Sequence, residues 1–161
     1  NVKTEEELKA HIKDNLAKER LSENETKATN ELLDKLVANA AVEVPEVMVK
    51  DEKEEMFNEQ ARTYMQYGID LNTVLKSSGS DKETYLEGFS EEALKRVKIR
   101  LVLEKIAEVE NIEITEKDID NEYAKMAENY QMDVNEIKKH VSPEAIKYDL
   151  RLSKALEVAK S

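Results

Sequence analysis

Apolar positions in this chain recur at helical spacing almost throughout. Leu8, Ile12 and Leu16 follow one another at i, i+4 and i+8, which places them on one helix face. The stripe fades from Ser22 to Asn30, where Ala28 is the exception in a polar run, and resumes at Leu32, Leu33, Leu36 and Val37. Residues 1–41 are therefore expected to form one long helix, or two helices with a weak middle, reaching ~50 Å at ~1.5 Å per residue. A helix that is polar on every side in its middle is not buried there, so an extended molecule is expected. The sequence Thr4-Glu5-Glu6-Glu7 reads as a capping box for its start.

The segment Val42-Glu43-Val44-Pro45 reads as a short extended link, with Pro45 suited to a first helical turn. Met48, Val49, Met56, Phe57, Tyr64 and Met65 give the next helix an apolar face, and Gly68 fits its C-terminal cap. Residues 70–77 predict a short helix closed by Gly79. Ser80-Asp81-Lys82-Glu83 reads as a second capping box, opening a long helix through Tyr85, Phe89, Val97, Leu101 and Ile106. Gly88 and Ser90 weaken its first turns and mark a place for a break. Thr115 caps the following helix, with Ile114 placed to staple onto Ile119. Met132-Asp133 repeats that device with Ile137, and Ser142-Pro143-Glu144 opens the last helix, whose face is Ile146, Leu150 and Leu156. Strand alternation never extends beyond a few residues. The expected fold is all-α: an elongated multi-helix body with a long first helix and projecting helical arms. The expected divisions are 1–41, 45–110 for body and first arm, and 115–161 for second arm and closing helix, all within a single domain spanning 1–161.

Composition narrows the function. Only three glycines and two prolines occur in 161 residues, too little turn punctuation for a sheet protein. The absence of cysteine excludes disulfides and thiolate metal sites. A net charge of −11, spread over both halves, argues against nucleic acid and anionic membranes as partners, and no apolar run has spanning length. His11 and His140 lie in no metal-ligand spacing, Gly68, Gly79 and Gly88 are too far apart for a phosphate loop, and adjacent pairs such as Glu54-Glu55 and Glu91-Glu92 diverge by ~100° on a helix. No catalytic, metal or cofactor site is read, and the chain is not expected to be an enzyme.

The remaining signal is apolar and centres on methionine, a flexible side chain suited to variable binding surfaces. Met48, Met56 and Met65 share one helix, while Met126 and Met132 flank a turn beside Tyr130. They are either core filler or the lining of an open apolar groove, and periodicity does not separate the two. On chemistry alone, Tyr64, Met65, Tyr67 and Ile69 make a patch near a helix end that Val74 and Leu75 extend.

Four blocks carry a resemblance to a known family. They are Thr4 to Leu16, with Glu6-Glu7-Leu8-Lys9 and Asn15-Leu16; Val42-Glu43-Val44-Pro45-Glu46; Ala93 to Ala107, with Lys95-Arg96 ahead of an aliphatic run; and Glu110-Asn111-Ile112-Glu113-Ile114-Thr115. In this order and spacing they resemble the C-terminal domain of bacterial trigger factors over nearly the whole chain. The family's docking signature G-F-R-x-x-K-x-P and its β-rich isomerase domain are not in this sequence. The resemblance implies a helical cradle that shields unfolded or nascent polypeptides without ATP or cofactor, in the bacterial cytoplasm. It further implies that the ribosome is reached only through an N-terminal domain absent here, and it leaves room for weak self-association. Met126 and Tyr130 sit where the family shows Met and Tyr one turn apart, and Ile137 and Val141 fall on apolar family positions. His140 departs from the aromatic often found there. The expected client-binding set is thus Met126, Tyr130, Ile137, Val141, Met132, Met56, Tyr64, Met65, Tyr67, Ile69, Val74 and Leu75. Two rival readings are the helical module of an extracytoplasmic prolyl isomerase and a structural helical adaptor.

Overall fold

The computed structural model describes residues 5–161, the side chains of residues 5–8, 10 and 14 excepted. The expected Thr4 capping box and the contribution of Leu8 lie outside these described residues. Among them the secondary structure is helical: α1 (Glu5–Asn39), α2 (Glu46–Gln66), α3 (Leu71–Ser77), α4 (Lys82–Glu87), α5 (Ser90–Val109), α6 (Glu116–Tyr130), α7 (Val134–His140) and α8 (Pro143–Lys160). The all-α expectation holds. The chain divides into two compact units, the first formed by α1 and the second by α2 to α8.

In the first unit, α1 runs unbroken for 35 residues. No glycine or proline precedes Pro45, so nothing in the polar middle forces a stop. Thr26 donates its hydroxyl to the Ser22 carbonyl at 2.8 Å, one turn back, so its side chain is satisfied within the helix.

The second unit is built on α2 packed along α5. Ala93, Val97 and Ala107 of α5 and Met56 of α2 are buried, and the small alanines let neighbouring backbones approach closely. Polar groups fix the register. Glu52 of α2, its side chain 12% exposed, accepts from Arg100 at 2.9 Å and lies 3.8 Å from Arg96. Arg96 also pairs with Glu59 at 3.1 Å and Glu92 at 3.2 Å.

On one side of this pair, Phe57, Leu71 and Leu75 form a small core with Ala61, Tyr85, Leu86 and Phe89 against it. The Phe57, Tyr85 and Phe89 rings meet edge-to-face at 5.9 and 5.4 Å, the arrangement that ring quadrupoles favour. Tyr85 donates its hydroxyl to Gln60 at 2.5 Å, and the Lys82 ammonium sits 4.6 Å from the Phe57 ring centre. A second core joins Tyr123, Ile137 and Ile146 from α6, α7 and α8. Tyr123 is almost fully buried, and its hydroxyl donates to the Val141 carbonyl at 2.7 Å.

Helix ends follow the residues expected of them, with two corrections. Pro45, expected in the first turn of α2, stands one residue before it as the extended N-cap. Ser80 does not cap α4. Its N–H is drawn into the end of α3, donating to the Leu75 carbonyl at 3.0 Å while Gly79 takes a φ of +73°. The cap passes to Asp81, whose carboxylate accepts the Thr84 N–H at 2.7 Å. The long helix expected after it is divided at the glycine: Gly88 and Phe89 donate to the carbonyls of Tyr85 and Leu86, three residues back, and α5 begins at Ser90. At the start of α6, Thr115 and Asp118 form a reciprocal capping box. The Thr115 N–H and hydroxyl, and then the Lys154 ammonium from α8 at 3.2 Å, hold the Asp118 carboxyl down at about 2 from its ordinary 3.8.

Two outcomes are expected. Glu52→Ala leaves Arg96 and Arg100, one turn apart on α5, without the carboxylate they share at the α2–α5 contact and lowers stability by ~1–2 kcal/mol, read from urea unfolding. Asp118 has a depressed folded pKa, so its contribution is complete above 3.8 and is lost as pH falls through that value toward about 2. Circular dichroism at stepwise pH should show Asp118→Asn less stable than the parent at neutral pH, with the gap closing over this window.

Candidate functional site

Two exposed apolar patches stand out in the second unit. The first begins where α2 ends. Tyr67 follows the last helical residue, and Gly68 takes a φ of +73°, which a side-chain-bearing residue adopts only at a cost. The Gly68 N–H donates to Met65 at 2.9 Å and the Ile69 N–H to Tyr64 at 3.1 Å. This reversal satisfies the helix's last carbonyls and turns Tyr67 outward, where it is 78% exposed. Tyr64, Met65 and Ile69 are exposed beside it. The chain then enters α3 through Asp70, whose carboxylate accepts from the Thr73 hydroxyl at 2.6 Å and from the Asn72 N–H at 3.2 Å. The Thr73 hydroxyl bond is the first cause holding that carboxyl below its ordinary value. The capped α3 carries Val74 outward and Leu71 and Leu75 inward.

The second patch lies at the turn between α6 and α7. Gln131 occupies the left-handed region with a φ of +52°. Its N–H donates to Glu128, and that of Met132 donates to Ala127 at 3.1 Å. Either side of this reversal Tyr130 is 67% exposed and Met132 is also exposed. Met126 and Val141 are half-buried and pack onto the core of Tyr123, Ile137 and Ile146.

Three members of the expected client-binding set fall elsewhere. Met56, Leu75 and Ile137 are core residues, with no more than 7% of their surface exposed. Each sits on the inward face of its helix, where filling the core and reaching a client exclude one another. Ile137 has the N4 position of a very short helix whose single buried side chain must anchor it.

Sequence reasoning missed a groove of about 990 Å³ between the start of α2, α4 and the first turns of α5. Val47, Leu86 and Leu94 line it, bordered by the ion pairs Lys53–Glu87, at 3.3 Å, and Lys82–Glu54. Its lining comes from three elements and includes neither Met nor Tyr, so no local pattern marked it. The usable signals were Val47 and Leu94, apolar residues that stay exposed off the core face.

Among the described residues, no group of three or more His, Asp or Glu side chains is placed to hold a metal, and no helix is long and apolar enough to cross a membrane. What the arrangement offers chemically is contact area: aromatic and thioether side chains held at rigid turns, with their apolar surface in water.

Comparison with known proteins bears on what such surfaces do. The family described as the C-terminus of the bacterial trigger factor protein matches residues 4–161. Trigger factor of Bacillus cereus strain B4264 is 40% identical over 157 residues, and that of Geobacillus kaustophilus is 37% identical over 157 residues. In each case the match takes in 97% of this chain and 37% of the relative, so the chain spans well under half the length of these proteins. A solved structure of trigger factor domains from Thermotoga maritima matches at a TM-score of 0.55 and 20% identity, covering 81% of this chain and 78% of that one, and shares the fold.

Replacing Gln131 by Gly relieves the cost of a side chain in the left-handed region and is expected to stabilise the protein by ~0.5–1 kcal/mol, raising the urea midpoint. Gln131→Val should lower it, because a β-branched residue tolerates that backbone least.

Proposed function

Because this chain belongs to the bacterial trigger factor C-terminal family, we propose that it is a client-holding chaperone domain acting in the bacterial cytoplasm. In this reading it grips unfolded or nascent polypeptides on exposed apolar side chains and so prevents their aggregation, without ATP. The role is binding rather than chemistry. Ribosome contact and prolyl isomerisation belong, in this proposal, to other domains of the longer relatives.

The observation that carries the reading is the pair of apolar patches at the two helix reversals. Tyr64, Met65, Tyr67, Ile69 and Val74 supply one; Tyr130 and Met132 supply the other, with Met126 and Val141 as its half-buried floor. A folding chain gains nothing by leaving such residues in water, whereas a holding surface needs them there. Burying each against a client contributes ~1.5–3 kcal/mol before ordering costs of ~0.5–1.5 kcal/mol are subtracted. One patch alone is therefore weak. Two patches on one folded unit reach useful affinity when a single unfolded chain engages both, through effective concentration. Met56, Leu75 and Ile137 are left out of the proposed contact set because the core claims them.

The test is titration of a reduced, carboxymethylated protein, followed by anisotropy, together with light scattering of a denatured enzyme on dilution. Tyr130→Ala with Met132→Ala should weaken client binding roughly tenfold, and adding Tyr67→Ala with Met65→Ala should weaken it further. Unchanged affinity and unchanged suppression of scattering in the fourfold variant, with helicity intact, would remove these residues from the site.

A further inference from the structure

We propose that the N-terminal half of α1 is a docking surface for an acidic amphipathic polypeptide segment, separate from the client patches. The surface lies wholly within α1 and is lined by Lys9, Ile12, Lys13, Leu16, Ala17, Arg20, Leu21 and Asn24, without a carboxylate among them. Ile12, Leu16 and Leu21 are all exposed, Leu21 at 62%. At ~100° per residue, Lys9, Lys13 and Arg20 fall within ~40° of one another and form a central cationic row. Ile12 and Leu16 border that row on one side, Ala17 and Leu21 on the other. By the same projection Glu23 falls between Leu16 and Ile12 near the C-terminal end of the face, and Glu19 lies beyond Ile12. The face is therefore a strip of positive charge between two apolar strips, running ~22 Å from Lys9 to Asn24.

Charge complementarity selects the occupant. The whole chain carries −11, so most of its surface repels anions, while this row sets cations beside apolar contact with no carboxylate in the lining. A second copy laid face to face would set cationic row against cationic row. An anionic membrane would meet three large apolar side chains on a strongly acidic protein, a poor balance for surface binding. A helix of about 15 residues with a row of carboxylates flanked by leucines matches the strip in length, charge order and apolar spacing.

The test uses the full chain and a labelled synthetic helix of about 16 residues carrying a central Glu row flanked by Leu, beside a version with Lys in that row and a scrambled version. Fluorescence anisotropy should show the Glu peptide binding at least about tenfold more tightly than the Lys peptide, with affinity falling as salt rises. Lys13→Glu with Arg20→Glu, both exposed positions accepting a good helix former, should reverse that preference. Leu16→Ser should weaken the Glu peptide while circular dichroism stays unchanged. Tyr130→Ala with Met132→Ala should leave peptide binding intact, and the α1 charge variant should leave holding of unfolded client intact, so this surface and the proposed client patches fail independently. Equal binding of the three peptides, or no binding, overturns the proposal. So does sedimentation showing a self-associated species that the α1 charge variant abolishes, or attachment to anionic phosphatidylglycerol vesicles with no response to the Glu peptide.

Discussion

Where α2 lies along α5, Ala93 and Val97 give up all their solvent contact, and Glu52 is drawn almost entirely beneath the guanidinium groups of Arg96 and Arg100. The alanine supplies the close approach and the carboxylate the register. A slide of one turn would leave Glu52 beside one arginine only and bring it toward Glu92 or Glu104 of α5, weakening the pairing of a largely buried charge. With that pairing set, α2 presents Phe57 to the short helices α3 and α4. The far end of α5 meets α8, where Arg151 donates to the Ala107 carbonyl and Tyr148 donates to Glu104. Burial of Tyr148 and the Glu104 carboxylate raise its hydroxyl pKa to about 12, so that bond persists across the neutral range.

The two apolar cores of the second unit are small. One rests on Phe57, Leu71 and Leu75, the other on Tyr123, Ile137 and Ile146. Short helices such as α3 and α7 cannot bury a whole face, and each spends its one or two inward side chains on the core. The apolar residues left over collect at the helix reversals. There the left-handed turn at Gly68 or Gln131 closes the backbone hydrogen bonds locally, so the neighbouring side chains need not be buried to hold the turn. A chain that stabilises its turns through backbone and caps can leave Tyr67, Tyr130 and Met132 in water. The client-holding role proposed for those residues rests on that division of labour.

Local signals in the residues determined the helices and most of their ends. Thr115, Asp133 and Ser142 before their helices, Pro45 ahead of α2, and Gly68 and Gly79 after α2 and α3 act within one turn of themselves, and the apolar period of 3.6 acts along one face. The family blocks at Val42–Glu46 and Ala93–Ala107 were likewise legible, because they are contiguous. Ser80 was misread as a cap because the claim of α3 on its N–H depends on where the preceding helix ends.

Only the tertiary structure decided which apolar side chains are core and which are surface. Met56 and Met65 share α2 and have the same chemistry, yet one is buried and the other exposed. Ile137 and Met132 flank the start of α7, and only the isoleucine points at Tyr123 and Ile146. The groove at Val47, Leu86 and Leu94 was invisible for a related reason, since its walls come from three helices. Helix formation is read from neighbours three or four residues away. Exposure is set by which other helix arrives against a face, and that depends on packing partners tens of residues distant, whose identity no local spacing encodes.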